Sequence, residues 1–307
     1  MARCRMRFGL TTPIVTLTAR SADRWEADAG PAELRRIAVA ADRLGYHHLT
    51  CSEHVAIPTS ALAVRGARYY DPLSTLGFLA AATERIRLVT HVVVLPYHHP
   101  LAVAKNYGTL DRLSDGRVVL GVGVGSLEEE FALLGVDFAG RGAAYEDALR
   151  ALRAALGRRE PAYEGSHWRF RDVVVDPCAV QEHLPIWLGG RTARSLRRAL
   201  ELADGWDPFH LSIDDLGSML DRAHSWPAWR SRHERPEPFS LVFSPDEIFD
   251  VSTADGRERM AVLLRRYRAI GADVLSLRFR SRSCDHLLEQ LEIFASRVAP
   301  DLTDVAG

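Results

Sequence analysis

Lysine is almost absent from this chain: of 39 basic residues only Lys105 is one, and the rest are arginine. A Schiff-base aldolase or a pyridoxal enzyme needs an amine nucleophile. Lys105 alone could supply it, from a helical stretch that continues through Asn106 and Tyr107, so that chemistry is not expected. Cysteine is scarce as well. Cys4, Cys51, Cys178 and Cys284 lie far apart with no CxxC, which excludes a disulfide framework or a zinc ribbon. The adjacent His98 and His99 are a poor metal pair, because neighbours in an extended segment point apart and no acid follows at HExxH spacing; no metal site is expected. No apolar run reaches the roughly 18 residues of a membrane span. Met1 to Val15 is interrupted by arginines and lacks the apolar stretch of a signal peptide, so a cytoplasmic location is expected. A net charge of −1 supplies no bulk field for nucleic acid or anionic lipid.

What remains is a β-α rhythm over 307 residues, a length suited to one eight-stranded barrel. Strands are expected at Arg7–Leu10, His48–Ser52, Ile86–Leu95, Val118–Val124, Ile186–Leu188, near Trp206, at Phe239–Phe243 and at Val274–Phe279. Helices alternate with them. Pro31 opens the first, Leu34, Ile37, Ala38, Ala41 and Leu44 form its buried stripe, and Gly45 closes it. The run Val118–Val124 is apolar on both sides of the pleat, as in a parallel sheet covered on both faces. The rhythm breaks at Glu128–His183, read as a long insertion after strand four on the active face. No Gly/Ser linker divides the chain, so residues 1–307 are expected to form a single (β/α)8 domain.

In such a barrel the working residues follow the strands. Strand two is followed by Glu53-His54, an acid and a ring that titrates near neutrality; the bland alternative is a turn cap and a satisfied surface residue. Strand four ends in Gly121, Gly123, Gly125 and Ser126. Spaced glycines let a backbone approach a ring or phosphate, although close strand–helix packing explains them almost as well. Neither a P-loop nor a dinucleotide fingerprint is present. Strand five runs into Gly189, Gly190, Arg191 and Thr192 at a helix start, a suitable phosphate site unless Thr192 merely caps the helix.

Together these segments resemble the luciferase-like monooxygenase superfamily. The likeness is carried by Thr109–Phe131 (TLDRLSDGRVVLGVGVGSLEEEF), Leu134–Gly142 (LGVDFAGRG), Leu95–Pro100 (LPYHHP), Pro185–Gly190 (PIWLGG) and Ala203–Trp206 (ADGW), and beyond Trp206 it thins to the β-α rhythm. All but the first of these look like the actinobacterial branch of F420-dependent oxidoreductases. The resemblance implies a TIM barrel with reduced FMN or the deazaflavin F420 across the strand ends. It implies a non-prolyl cis peptide behind the ring, by position His91-Val92, where relatives often carry a smaller residue than His91. It assigns an acid–histidine pair to Glu53 and His54, a ring contact to Gly123, Gly125 and Ser126, and a phosphate loop to Gly189, Gly190, Arg191 and Thr192. Two departures stand out: some relatives carry glutamate where this chain has Ser126, and arginine where it has His98.

The expected activity is hydride transfer between deazaflavin F420 and a small organic substrate, with His54 handling the proton and the cofactor the redox chemistry. The alternative is an FMN-dependent monooxygenase that activates oxygen, with a flavin or F420 reductase supplying reduced cofactor. A further alternative is a non-catalytic partner subunit like the luciferase β chain. A homodimer is expected from the family. The substrate's determinants are expected in Glu128–His183 and in Trp226–Pro238.

Overall fold

The computed structural model describes residues 6–18 and 22–300. Cys4 and the start of the amino-terminal segment lie outside the described residues. Eight parallel strands close on themselves: β1 (Arg7–Leu10), β2 (His48–Cys51), β3 (Arg87–Thr90), β4 (Val118–Gly123), β5 (Ile186–Gly189), β6 (Gly205–Asp207), β7 (Ser240–Phe243) and β8 (Val274–Leu277). Each pairs with the next, and β8 returns to β1 through Arg7–Val274 to Leu10–Leu277. This is the (β/α)8 barrel expected from the rhythm.

The period of two along each strand sorts the side chains. Phe8, Leu49, Leu88, Leu120, Leu188, Phe243 and Leu275 join the large core shared with the helices, whereas Val89, Val119, Trp187, Val242 and Val274 form a separate cluster inside the lumen. Two lumen rings, His48 and the cluster's own Trp187, fit only because glycine faces them. A Cβ on Gly9 would stand 2.2 Å from the His48 imidazole, and one on Gly205 would stand 2.6 Å from the Trp187 indole. His48 Nε2 meets Ser276 Oγ at 2.9 Å and its Nδ1 meets His47 Nδ1 at 3.0 Å. Burial, with His47, His91 and Arg7 nearby, holds the His48 pKa well below the ordinary histidine value, so the lumen ring is neutral.

The outer helices that matter for the site are α1 (Pro31–Arg43), α2 (Pro72–Ala80), α3 (Pro100–Leu113), α4 (Glu128–Leu133), α5 (Arg141–Ala155) and α6 (Ala193–Leu202). The expected insertion divides in two. Residues 124–140, with α4, lie at the carboxyl ends of the strands. α5 itself packs beside α3 as a regular barrel helix, its Tyr145 hydroxyl donating to Val122 O at 3.2 Å. Residues 156–185 run along the outside of α3 and α5, tied by Trp168 N to Asp147 and Gln181 N to Asp111. They return beside the amino end of β4, where Gln181 Nε2 donates to Val118 O. Most of the insertion therefore covers the barrel's flank, and the reading that placed it on the active face holds only for its first part. The segment Trp226–Pro238, for which no helix was expected, holds one at Pro227–His233.

α1 is anchored at its end by Asp42, whose carboxylate accepts from the backbone N–H of Glu84, Arg85 and Ile86 at 2.9, 2.9 and 2.6 Å. Burial alone would raise this carboxyl's pKa, but the three donors hold it below the ordinary value. A depressed acid stabilises above its unfolded pKa, and that contribution disappears as the pH falls through the folded one. Asp42→Ala is expected to lower the unfolding free energy by about 2–3 kcal/mol at pH 7; an unshifted urea midpoint would rule out this anchoring role.

Candidate active site

The site begins with a change of register. Val89 pairs with Val119 and Val93 with Val122. Thr90, His91 and Val92 therefore oppose only Leu120 and Gly121, a one-residue bulge of the kind that re-aims side chains. The His91–Val92 peptide within it is cis, where the resemblance placed one. The extended run Ile86–Leu95 is interrupted here. The bulge also explains Gly121, whose Cβ would stand 1.9 Å from Thr90 O.

Because of the bulge, two consecutive side chains enter the lumen. Val92 lies against the ends of β4 and β5: a Cβ on Gly123 would be 2.6 Å from its Cγ2, and one on Gly189 would be 3.3 Å from its Cγ1. Three strand ends thus form a smooth cradle of one valine and two bare backbones. His91 reaches further, Nε2 lying 3.1 Å from Asp207 Oδ2 on β6. The other oxygen, Asp207 Oδ1, and Ser244 Oγ just past β7 are buried with no hydrogen-bond partner.

Glu53 and His54 do not act as a pair. Consecutive residues leaving a strand point opposite ways, and each finds its own partner. Glu53 Oε2 accepts from Val94 N at 2.6 Å, and Oε1 meets His98 Nε2 at 2.7 Å. This buried carboxylate is wholly engaged in fixing the segment after the bulge. His98 is its partner: the hydrogen bond to Glu53, against the effect of burial, raises the His98 pKa. His54 turns instead to Glu130 of α4, with Nδ1 2.7 Å from Oε2. Glu130 is completely buried and also accepts from the Tyr97 hydroxyl at 3.1 Å and from Val55 and Ala56 N at 2.6 and 3.2 Å. The His54 ring rests edge-on against Tyr69, 4.5 Å between centroids. Nδ1 is thereby committed to Glu130.

Sequence reasoning missed Glu130, Tyr97, Tyr69 and Asp207. The only signal for Glu130 was its place in the Glu128–Glu130 run, where helical spacing turns one of three acids inward.

Gly125 and Ser126 belong to the rim. Gly125 has φ +76°, and its Cβ would stand 2.5 Å from Phe131, so packing alone requires glycine there. Ser126 is exposed and accepts from Arg65 at 3.3 Å. After β5, Thr192 caps α6 by accepting from Ser195 N at 3.2 Å, as the bland reading held. Gly190 has φ +133°, and Arg191 is exposed with its guanidinium 5.5 Å from the Phe209 ring. Lys105 donates to Asp176 O on the flank, away from these strand ends. A cleft of about 690 Å³ lies elsewhere, near the amino ends of β5 and β6. Its arginines are largely committed: Arg153 to Asp204 at 2.5 Å, and buried Arg232 to the carbonyls of Ala203, Glu237 and Pro238. The carboxyl ends of the strands are where ligands bind in this fold.

These features define a closed parallel (β/α)8 barrel with a bulged third strand, a glycine cradle and a carboxylate-held histidine at its strand ends. The chain belongs to the luciferase-like monooxygenase family, whose model matches residues 6–292. Among solved structures it is similar to monooxygenase RslO1 from Streptomyces bottropensis, with TM-score 0.78 and 21% identity over 96% of this chain and 99% of that one. It is similar also to an F420-dependent secondary alcohol dehydrogenase in complex with an F420–acetone adduct, with TM-score 0.75 and 14% identity over 98% and 100%. A third likeness is to the oxygenating constituent of 3,6-diketocamphane monooxygenase of Pseudomonas putida in complex with FMN, with TM-score 0.72 and 16% identity over 98% and 100%. At these identities the likenesses speak to the fold.

The Glu53–His98 contact carries a test. A histidine raised by its partner stabilises below its unfolded pKa, and this is lost as the pH rises through the folded one. Glu53→Gln is expected to shift the His98 ring titration downward, read from its Cε1–H resonance; an unmoved titration would mean that Glu53 does not hold the proton there.

Proposed function

We propose that the protein is an oxidoreductase that binds deazaflavin F420 across the ends of β3, β4 and β5 and uses it to reduce a small carbonyl or unsaturated compound, or to oxidise an alcohol. The observation that carries this reading is the union of an empty-sided cradle, Val92 between Gly123 and Gly189, with a histidine fixed through Nδ1 on a buried carboxylate. Bare backbone on two strands admits a flat ring, and the unpartnered Asp207 Oδ1 leaves polar capacity beneath it. Gly189, Gly190 and Arg191 would hold the phosphate-bearing tail, with Thr192 fixing the start of α6.

When bound, F420 supplies or accepts a hydride. The protein's part is the accompanying proton. Reducing a carbonyl requires one proton at oxygen, and alcohol oxidation releases one. His54 Nε2 gives or takes it, and Glu130 holds the ring in one orientation and balances the imidazolium when it forms. Glu53 holds the segment that follows the bulge and moves no proton. Ser126 leaves that duty to His54.

Anaerobic titration with F420 and FMN, each oxidised and reduced, tests the reading. F420 is expected to bind with Kd of about 1–10 μM, of order −7 to −8 kcal/mol. Binding of FMN alone would instead support an FMN-dependent monooxygenase, and binding of neither would support a non-catalytic partner subunit. His54→Ala is expected to reduce turnover by about 10²–10⁴ while leaving F420 affinity within about threefold. Arg191→Ala is expected to weaken F420 binding about tenfold, the scale of one charge-assisted phosphate contact.

A further inference from the structure

The segment after His54 is uncharged from Val55 to Val64 and again at Gly66 and Ala67, and Arg65 is its one charge. Arg65 closes a short helix, Leu62–Arg65, and its place is fixed from both sides. The Tyr69 hydroxyl donates to Arg65 O at 2.8 Å. Gly66, with φ +73°, lies so near Leu17 O that a Cβ would stand 1.8 Å away. From there the half-buried guanidinium reaches Ser126 Oγ at 3.3 Å on the rim of β4. It thus joins the segment after β2 to the rim of β4, the two strands that flank β3. The Tyr69 ring that anchors it is the one against which His54 rests. Burial raises the pKa values of Tyr69 and Tyr97, and the Arg65 charge opposes that rise at both, so the cation shares the pocket of His54. Among the described residues it forms no ion pair. Glu130, the buried acid of this pocket, is committed to His54, Tyr97 and two backbone N–H groups, and Glu128 and Glu129 are exposed.

We infer that Arg65 is the substrate-recognition residue of this site, and that the substrate is a carbonyl compound, or the corresponding alcohol, that carries a carboxylate. The inference rests on the function proposed above and narrows its substrate. A partly desolvated guanidinium without a counter-charge favours an oxyanion, which it takes through two parallel N–H groups. One cation and one hydroxyl balance a singly charged carboxylate. A phosphate dianion would keep half its charge uncompensated in a poorly screened cleft. With the carboxylate on Arg65 and Ser126, the carbonyl is directed to His54 Nε2. Its carbon accepts the hydride of the reduced cofactor, the π electrons pass to the oxygen, and the oxygen takes the His54 proton. The carbonyl becomes a hydroxyl as the cofactor is oxidised.

The test compares 2-oxobutanoate, 4-oxopentanoate and 6-oxoheptanoate with their methyl esters, by calorimetric titration of the whole protein loaded with oxidised cofactor and by turnover with the reduced one. At least one acid is expected to bind about tenfold or more tightly than its ester, the scale of one charge-assisted pair. Arg65→Gln is expected to remove that preference, through Kd and KM rather than kcat. Arg65→Lys, which keeps the charge without the fork, is expected to restore part of it. Acids that bind no better than esters in the wild-type protein overturn the inference, and this comparison needs no variant. A preference that survives Arg65→Gln overturns it as well. So does an Arg65→Gln protein whose cofactor affinity falls about tenfold while the acid preference stays, since the guanidinium would then serve the cofactor. If the wild-type protein binds neither F420 nor FMN, the function proposed above fails, and the same acid-to-ester ratio is measured on the cofactor-free protein. Its absence there overturns this inference independently.

Discussion

Closure of the barrel between β4 and β5 is the constraint on which the site depends. Leu120 pairs with Ile186, Gly121 with Trp187 and Val122 with Leu188, so Gly123 and Gly189 come to the rim side by side. A slip of one residue in that register would turn leucine or valine inward at the rim and fill the space. The bulge in β3 then presents Val92 to the two glycines, and β6, the next strand, brings Asp207 within reach of His91. The cradle is thus a consequence of how eight strands close, with one extra residue inserted at the point where a side chain must be re-aimed.

Glycine serves two purposes in this lumen. Gly9 and Gly205 make room for the rings of His48 and Trp187, and Gly121 makes room for the Thr90 carbonyl, so these three are explained by the protein's own packing. Gly123 and Gly189 make room for Val92, which would stand 2.6 and 3.3 Å from an added Cβ, and in the function proposed above their bare backbones also receive the cofactor ring. Gly125, next along the GxGxG run, returns to the first kind, packed beneath Phe131 with a left-handed backbone. Spacing alone could not sort them.

Much of the architecture was legible because parallel strands covered on both faces announce themselves as apolar runs, and Pro31, Pro72 and Pro100 mark helix starts. The bulge was not legible as such, since Ile86–Leu95 reads as one continuous strand dense in valine and leucine; only the resemblance drew attention to His91-Val92. The insertion was found but placed too much on the active face, because periodicity gives a helix its buried stripe without saying which neighbour covers it. Glu53-His54 drew attention as a neighbouring pair, but adjacency in sequence separated the two side chains in space. Their partners, His98 and Glu130, lie 45 and 76 residues away along the chain, and no local pattern joins them.

The most direct measurement concerns the cradle. Gly123→Ala places a methyl 2.6 Å from Val92 Cγ2, and a β-branched side chain on a bulged strand has little freedom to withdraw. Cofactor titration of this variant, followed by ring fluorescence, is expected to show affinity reduced at least about tenfold, with a melting temperature below that of the parent protein because the methyl overpacks Val92. Undiminished affinity in a folded Gly123→Ala protein would contradict the account, because it would mean that the ring does not rest where β3, β4 and β5 meet.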